Sequence, residues 1–123
     1  MEIKNEFIPY EQALALKELG FDEPCFGCYD EKGVFGFTVM SIKQYYINSK
    51  EDTWNCSAPT YSQAFRWFRE KYNLFGQVNI HTYFIYNISN DGFEMIKQYD
   101  KLTNTYEEAE LACLNKLIEI VKK

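Results

Sequence analysis

The sequence predicts an α+β fold in the order α-ββ-α-ββ-α, with three helices packed on one face of a four-stranded antiparallel sheet. Three observations predict it. Tyr10-Glu11-Gln12-Ala13, Tyr61-Ser62-Gln63-Ala64 and Tyr106-Glu107-Glu108-Ala109 repeat one helix-opening signature. The stretches between them are rich in β-branched and aromatic residues, as strands prefer. Each stretch is broken by a turn signal, Asp30-Glu31-Lys32-Gly33 in the first and Asn90-Asp91-Gly92 in the second. The two hairpin-plus-helix halves read either as a loose ββα duplication or as helix-start chemistry arrived at separately. With 123 residues, a single domain spanning 1–123 is expected.

The first helix is predicted from Pro9, placed like an N1 proline, to Leu19. Gly20 then supplies a left-handed C′ residue, and Phe21 folds back on Leu16 in a Schellman motif. Asp22-Glu23-Pro24 breaks the chain. Strands are predicted over 25–30 and 34–47, the second carrying Val34, Phe35, Phe37, Val39, Ile42, Tyr45, Tyr46 and Ile47. Residues 48–59 read as a polar loop holding Trp54 and Cys56. Thr60 caps the second helix, about 61–73. The third and fourth strands are predicted over 77–88 and 93–99. On the third, Val78, Ile80, Thr82, Phe84, Tyr86 and Ile88 alternate with Asn79, His81, Tyr83, Ile85 and Asn87, so one face is buried and one partly exposed. Thr105-x-x-Glu108 opens the last helix as a capping box. Its stripe of Tyr106, Ala109, Cys113, Leu117, Ile120 and Val121 is widened by Leu111, Leu114 and Ile118. A helix packed on one sheet needs a stripe of only about 100°. The surplus predicts a helix–helix contact or a subunit interface, and with it a homo-oligomer.

Composition narrows the function. The chain carries 13 basic and 18 acidic residues, a net charge of −5. Nucleic-acid binding draws most of its affinity from a basic surplus, so no nucleic-acid partner is expected. No apolar run reaches the roughly 18 to 20 residues of a membrane span, and the first residues lack the features of a signal peptide. A cytoplasmic protein without a membrane partner is therefore expected. Ten Tyr, ten Phe and two Trp make 18% of the chain aromatic. A small domain cannot bury them all, which predicts an interface or a ligand site built with aromatic rings.

Candidate chemistry is sparse. On the second helix, Tyr61, Ala64, Phe65, Phe68 and Tyr72 form the core stripe. Arg66 and Arg69 share one flank with Ser62, and Trp67 and Lys71 share the other. Two Arg beside aromatic rings can hold an anion while a ring stacks on a flat group. The plainer explanation is an i,i+4 pair of Arg66 with Glu70 and otherwise solvated charge. Cys25-Phe26-Gly27-Cys28 is a lone C-x-x-C. Zinc could take Cys56 with Cys113 or His81 as further ligands, but there is no second C-x-x-C and only one His. A redox motif wants its first Cys at a helix N-terminus, whereas this one enters a strand. Cys113 reads as a small core residue. No metal and no cofactor are predicted. His81 has no Ser or Cys nucleophile motif beside it, and the carboxylates fall in turns or in a helix first turn. No catalytic residue is predicted.

Three strings carry a resemblance. Pro9-Tyr10-Glu11-Gln12-Ala13-Leu14-Ala15-Leu16-Lys17-Glu18-Leu19-Gly20-Phe21 is the first. Ala58-Pro59-Thr60-Tyr61-Ser62-Gln63-Ala64-Phe65-Arg66-Trp67-Phe68-Arg69-Glu70-Lys71-Tyr72 is the second. Tyr106-Glu107-Glu108-Ala109-Glu110-Leu111-Ala112-Cys113-Leu114 is the third. Together they resemble a family of short, uncharacterised proteins of tailed bacteriophages and prophages. The resemblance covers the three helices, and Cys28 departs from it where an aromatic is usual. It carries over no catalytic or binding residue. It implies a phage accessory protein acting in the host cytoplasm.

Two functional classes follow. One is a non-enzymatic, homo-oligomeric binding protein that sequesters a nucleotide-like anion or a host defence component. Its ligand-binding residues would be Arg66, Arg69, Trp67 and Lys71, with Trp54 and Tyr83. The other is a structural, assembly or host-takeover protein acting only through contacts with host or phage proteins.

Overall fold

The structure is a computed structural model that describes residues 3–37, 45–49, 54–89, 92–98 and 102–122. The chain divides into two compact units, 1–63 and 64–123. Among the described residues the architecture is α+β with three α-helices, but the strands do not form one four-stranded sheet. They form two three-stranded antiparallel sheets, one in each unit.

The first unit opens with a single 3-10 turn, Ile3–Glu6, followed by helix α1, Tyr10–Glu18. Pro9 is the N-cap rather than the first helical residue. The C-terminus forms the predicted Schellman motif. Phe21 N–H donates to Leu16 O at 2.9 Å and Gly20 N–H to Lys17 O at 3.1 Å, with Gly20 at φ +96°. Phe21 and Leu16 are both buried. Strands β1 (Gly27–Tyr29), β2 (Phe35–Phe37) and β3 (Cys56–Ala58) pair in the order β2-β1-β3. Asp30 builds the β1–β2 turn, its Oδ1 accepting from Lys32 N–H at 2.8 Å and Val34 N–H at 2.9 Å. β3 lies in the segment expected to be a polar loop. Its Cys, Ser and Ala have weak strand preference, and pairing with β1 through Cys28↔Ser57 and Tyr29↔Cys56 makes it a strand. The core gathers Ile8, Leu16, Phe21, Cys25, Tyr29 and Cys56. The buried Tyr29 hydroxyl donates to Ile8 O at 2.7 Å. The predicted strand over 34–47 is seen at Phe35–Phe37 and again where Tyr46 bridges Cys25. Val39 and Ile42 lie outside the described residues.

Helix α2, Tyr61–Tyr72, begins at the end of the first unit and is capped by Thr60, whose Oγ1 accepts from Gln63 N–H at 3.2 Å. Asn73 ends it at φ +55°, the left-handed conformation Asn tolerates. Strands β4 (Leu74–Val78), β5 (Tyr83–Ser89) and β6 (Gly92–Gln98) form a meander. The sequence predicted one strand over 77–88. Instead the chain reverses at 79–82, where Asn79 N–H donates to Thr82 O at 2.8 Å. No Gly or Pro marks this turn, and the alternation runs through it unbroken. Ser89 pairs with Gly92, as a two-residue hairpin requires, and Asn90 and Asp91 lie outside the described residues.

Helix α3, Tyr106–Lys122, packs on β4 and β5. Thr105 Oγ1 accepts from Glu108 N–H at 3.1 Å, and Glu108 Oε2 accepts in turn from Asn104 N–H at 2.8 Å. Leu114 and Ile118, expected at a subunit interface or a helix–helix contact, are buried, and Leu111 is half-buried. None of the described helices is long and apolar enough to cross a membrane.

Candidate functional site

The predicted anion site lies on α2. Arg66 Nε stands 4.0 Å from Glu70 Oε1, both side chains well exposed, which is the plain i,i+4 pair. Trp67 corrects the expectation of an exposed ring: it is 7% exposed, edge-on to Phe68 and Tyr72 at 5.1 and 5.5 Å. Lys71 Nζ lies 5.1 Å from the centre of the Trp67 ring and 5.6 Å from that of Tyr72. Two of the three cations thus have partners on their own helix. Tyr83 is 2% exposed, a core residue of β5 rather than a ligand contact. Trp54 belongs to the first unit, edge-on to Tyr46.

Burial holds three of the cysteines, Cys25, Cys56 and Cys113, in the protonated form. All four are free and buried. Burial pushes Cys25 up to about 12, against the opposing pull of the Ser57 hydroxyl. Burial likewise raises Cys113 to about 12 and Cys56 to about 11, the latter against Lys17. A thiol held protonated well above neutral pH is a poor nucleophile. His81 sits in the β4–β5 turn, exposed, instead of within a strand. Its Nδ1 lies 2.9 Å from Thr103 O, so Nδ1 carries the proton. A shallow depression of about 520 Å³ beside it is lined by Val78, Asn79, Ile80, His81, Thr82 and Tyr106. Among the described residues that line it, none is a carboxylate, lysine or arginine.

The most distinctive surface is the open face of the second sheet. Tyr83 and Ile85 turn their side chains into the core. Phe84, Tyr86 and Ile88 therefore point the other way, and pairing adds Phe75, Met95 and Phe93 to the same face through Phe75↔Tyr86, Tyr86↔Met95 and Ile88↔Phe93. Phe93 is 73% exposed, Met95 48% and Ile88 41%. Tyr86 stacks with Phe84 at 6.4 Å and stands edge-on to Phe93 at 5.7 Å. The more apolar of the two faces is the one left open. Sequence reasoning recognised the alternation without assigning the sides. The signal was present in the helix instead: Cys113 and Leu117 pack over Gly76, which fixes the face of β4 that α3 covers.

Compared with protein-family models, with curated proteins and with solved structures, the chain matches none.

Proposed function

We propose that the protein is a non-enzymatic binding protein that acts through contacts of its open sheet face with another protein surface. The observation that carries this reading is the exposure of Ile88, Phe93 and Met95 together on one face. Contiguous exposed apolar patches of this kind mark association surfaces. The raised thiols and the partnered charges of α2 support contact over chemistry. The three helix strings support a phage accessory setting inside a bacterium, where a protein this small would act on a host or phage protein. Native mass spectrometry of protein purified from cells that express it tests the reading. The wild type is expected to carry a stoichiometric protein partner, and the Ile88→Ser/Phe93→Ser variant to lose it while keeping its far-UV spectrum. A wild type that emerges as a bare monomer overturns the proposal.

A second reading keeps the small anionic, nucleotide-derived ligand on α2. It is favoured by Arg69, which makes no ion pair among the described residues and is half-buried. Equilibrium dialysis against a mixed nucleotide pool tests it, with Arg66→Ala/Arg69→Ala as the variant expected to lose any ligand.

A further inference from the structure

We propose that β6, the edge strand of the open sheet, pairs antiparallel with the β6 of a second copy of this chain about a two-fold axis between Met95 and Ile96. This rests on the contact function argued above, since the pairing joins the open faces of two copies into one contact surface.

β6 is the outer strand of its sheet among the described residues, and every residue of it except Lys97 is exposed. Natural edge strands of this kind are usually blunted, because their free N–H and C=O groups recruit other strands. β6 carries two blunting devices, a lysine and a register shift. Tyr86 faces Met95, but its neighbour Ile85 faces Lys97, so Ile96 is an extra residue. That shift has a second effect. In a regular strand, residues 94 and 97 point to opposite faces. Here Glu94 pairs with Asn87 and Lys97 with Ile85, which share a face, so Glu94 and Lys97 share one too.

A two-fold axis between residues 95 and 96 places each residue opposite the one equally far on the other side. Glu94 then meets the Lys97 of the second copy, twice. Phe93 meets Gln98, and Met95 meets Ile96. A cross-strand pair must lie on one face of the sheet. The register shift satisfies that for Glu94 and Lys97, which a regular strand would not. The strand is therefore complementary to itself at Glu94 and Lys97, in charge and in facing. Neither Glu94 nor Lys97 takes part in an ion pair among the described residues. The same pairing makes the Ile88–Phe93–Met95 patches of two copies continuous, in the isologous manner of a symmetric dimer. Lys97 then blocks any strand lacking an acid at the matching position and admits this one.

Sedimentation velocity of the full chain tests the proposal. The wild type is expected to be a dimer in the micromolar range. Glu94→Lys alone sets Lys against Lys, and Lys97→Glu alone sets Glu against Glu. Each is expected to weaken the dimer by roughly tenfold or more, since it reverses two cross-strand pairs. Mixing the two single variants pairs unlike charges at both positions and is expected to restore dimers, as is the double swap in one chain. Far-UV spectra of each variant exclude unfolding as the cause. A wild type that stays monomeric while holding another protein overturns the self-pairing and leaves the contact function standing. A bare monomer overturns both. A dimer indifferent to the charge reversals overturns the β6 register.

Discussion

Gly76 of β4 and Cys113 of α3 approach so closely that a Cβ on Gly76 would lie 2.8 Å from the Cys113 Sγ. Leu117 Cδ1 and Phe65 Cδ1 follow at 3.3 and 3.5 Å. No real Cβ tolerates the first distance, so one side chain must move within a buried layer. Gly76→Ala is expected to lower stability by about 1–3 kcal/mol, the usual cost of overpacking. Cys113→Ala removes the clashing sulfur, so the double variant should lose less than the two single losses added. Urea unfolding of the four proteins measures that coupling. Strict additivity would show that α3 does not seat on Gly76.

The C-terminus of α1 supports a second expectation. Gly20 stands at φ +96°, where an L side chain is strained. Its N–H and that of Phe21 close the last turn on Lys17 O and Leu16 O. Gly20→Ala is expected to cost about 1–2 kcal/mol. Gly36→Ala serves as the comparison. Gly36 has an ordinary φ, and its added Cβ would meet only the Cys28 sulfur, at an easy 3.7 Å. A loss no larger at Gly20 than at Gly36 would remove the motif from the account of α1.

These caps were legible in the sequence because they are local. Gly20, Thr60 and Thr105 each act on backbone groups within a few residues, so spacing alone announces them. β3 was not legible, since Cys56-Ser57-Ala58 becomes a strand only by lying beside β1. The reversal at 79–82 was hidden because Ile80 and Thr82 continue the alternation through it. Losing that turn merged β4 with β5, and with β3 read as a loop the six strands of the described residues became four, so one sheet was inferred where two are seen. The candidate site failed for a related reason. Helical spacing places Trp67 off the main stripe, but it cannot report the Phe68 and Tyr72 edges that enclose the ring.

The buried thiols predict a loss of stability in alkali. Burial raises Cys25 and Cys113 from an ordinary value of 9.0 to about 12 in the folded chain. Below pH 9 both states hold the protons and nothing changes. Above it the unfolded chain releases protons that the folded chain keeps, so unfolding is favoured until the folded value is reached. Each such thiol contributes a fall of about 1.4 kcal/mol per pH unit within that window. Urea midpoints followed from neutral pH to about pH 10.5 should decline with that slope. Cys113→Ala should lower the starting stability through its cavity yet flatten the decline by one thiol's share. An unchanged slope in that variant would mean Cys113 ionises as freely folded as unfolded.

The flanks of α2 make opposite predictions for neighbouring residues. Trp67 is enclosed by Phe68 and Tyr72 and covered by Lys71, so Trp67→Ala is expected to cost about 3–5 kcal/mol as a core truncation. Arg66 and Glu70 form an exposed pair at the limit of ion-pair distance, and Arg66→Ala should change stability by less than about 0.5 kcal/mol. The contrast separates a structural role from a binding role on one helix. If α2 held an anion, Arg66→Ala/Arg69→Ala would relieve the mutual repulsion of cations gathered for that ligand. Stability would then rise at low ionic strength, and the gain would vanish as salt screens the charges. If the flank is solvated charge, thermal unfolding of the double variant tracks the wild type at every salt concentration. The pairing of Arg66 with Glu70 and of Lys71 with Trp67 leads us to expect the second result.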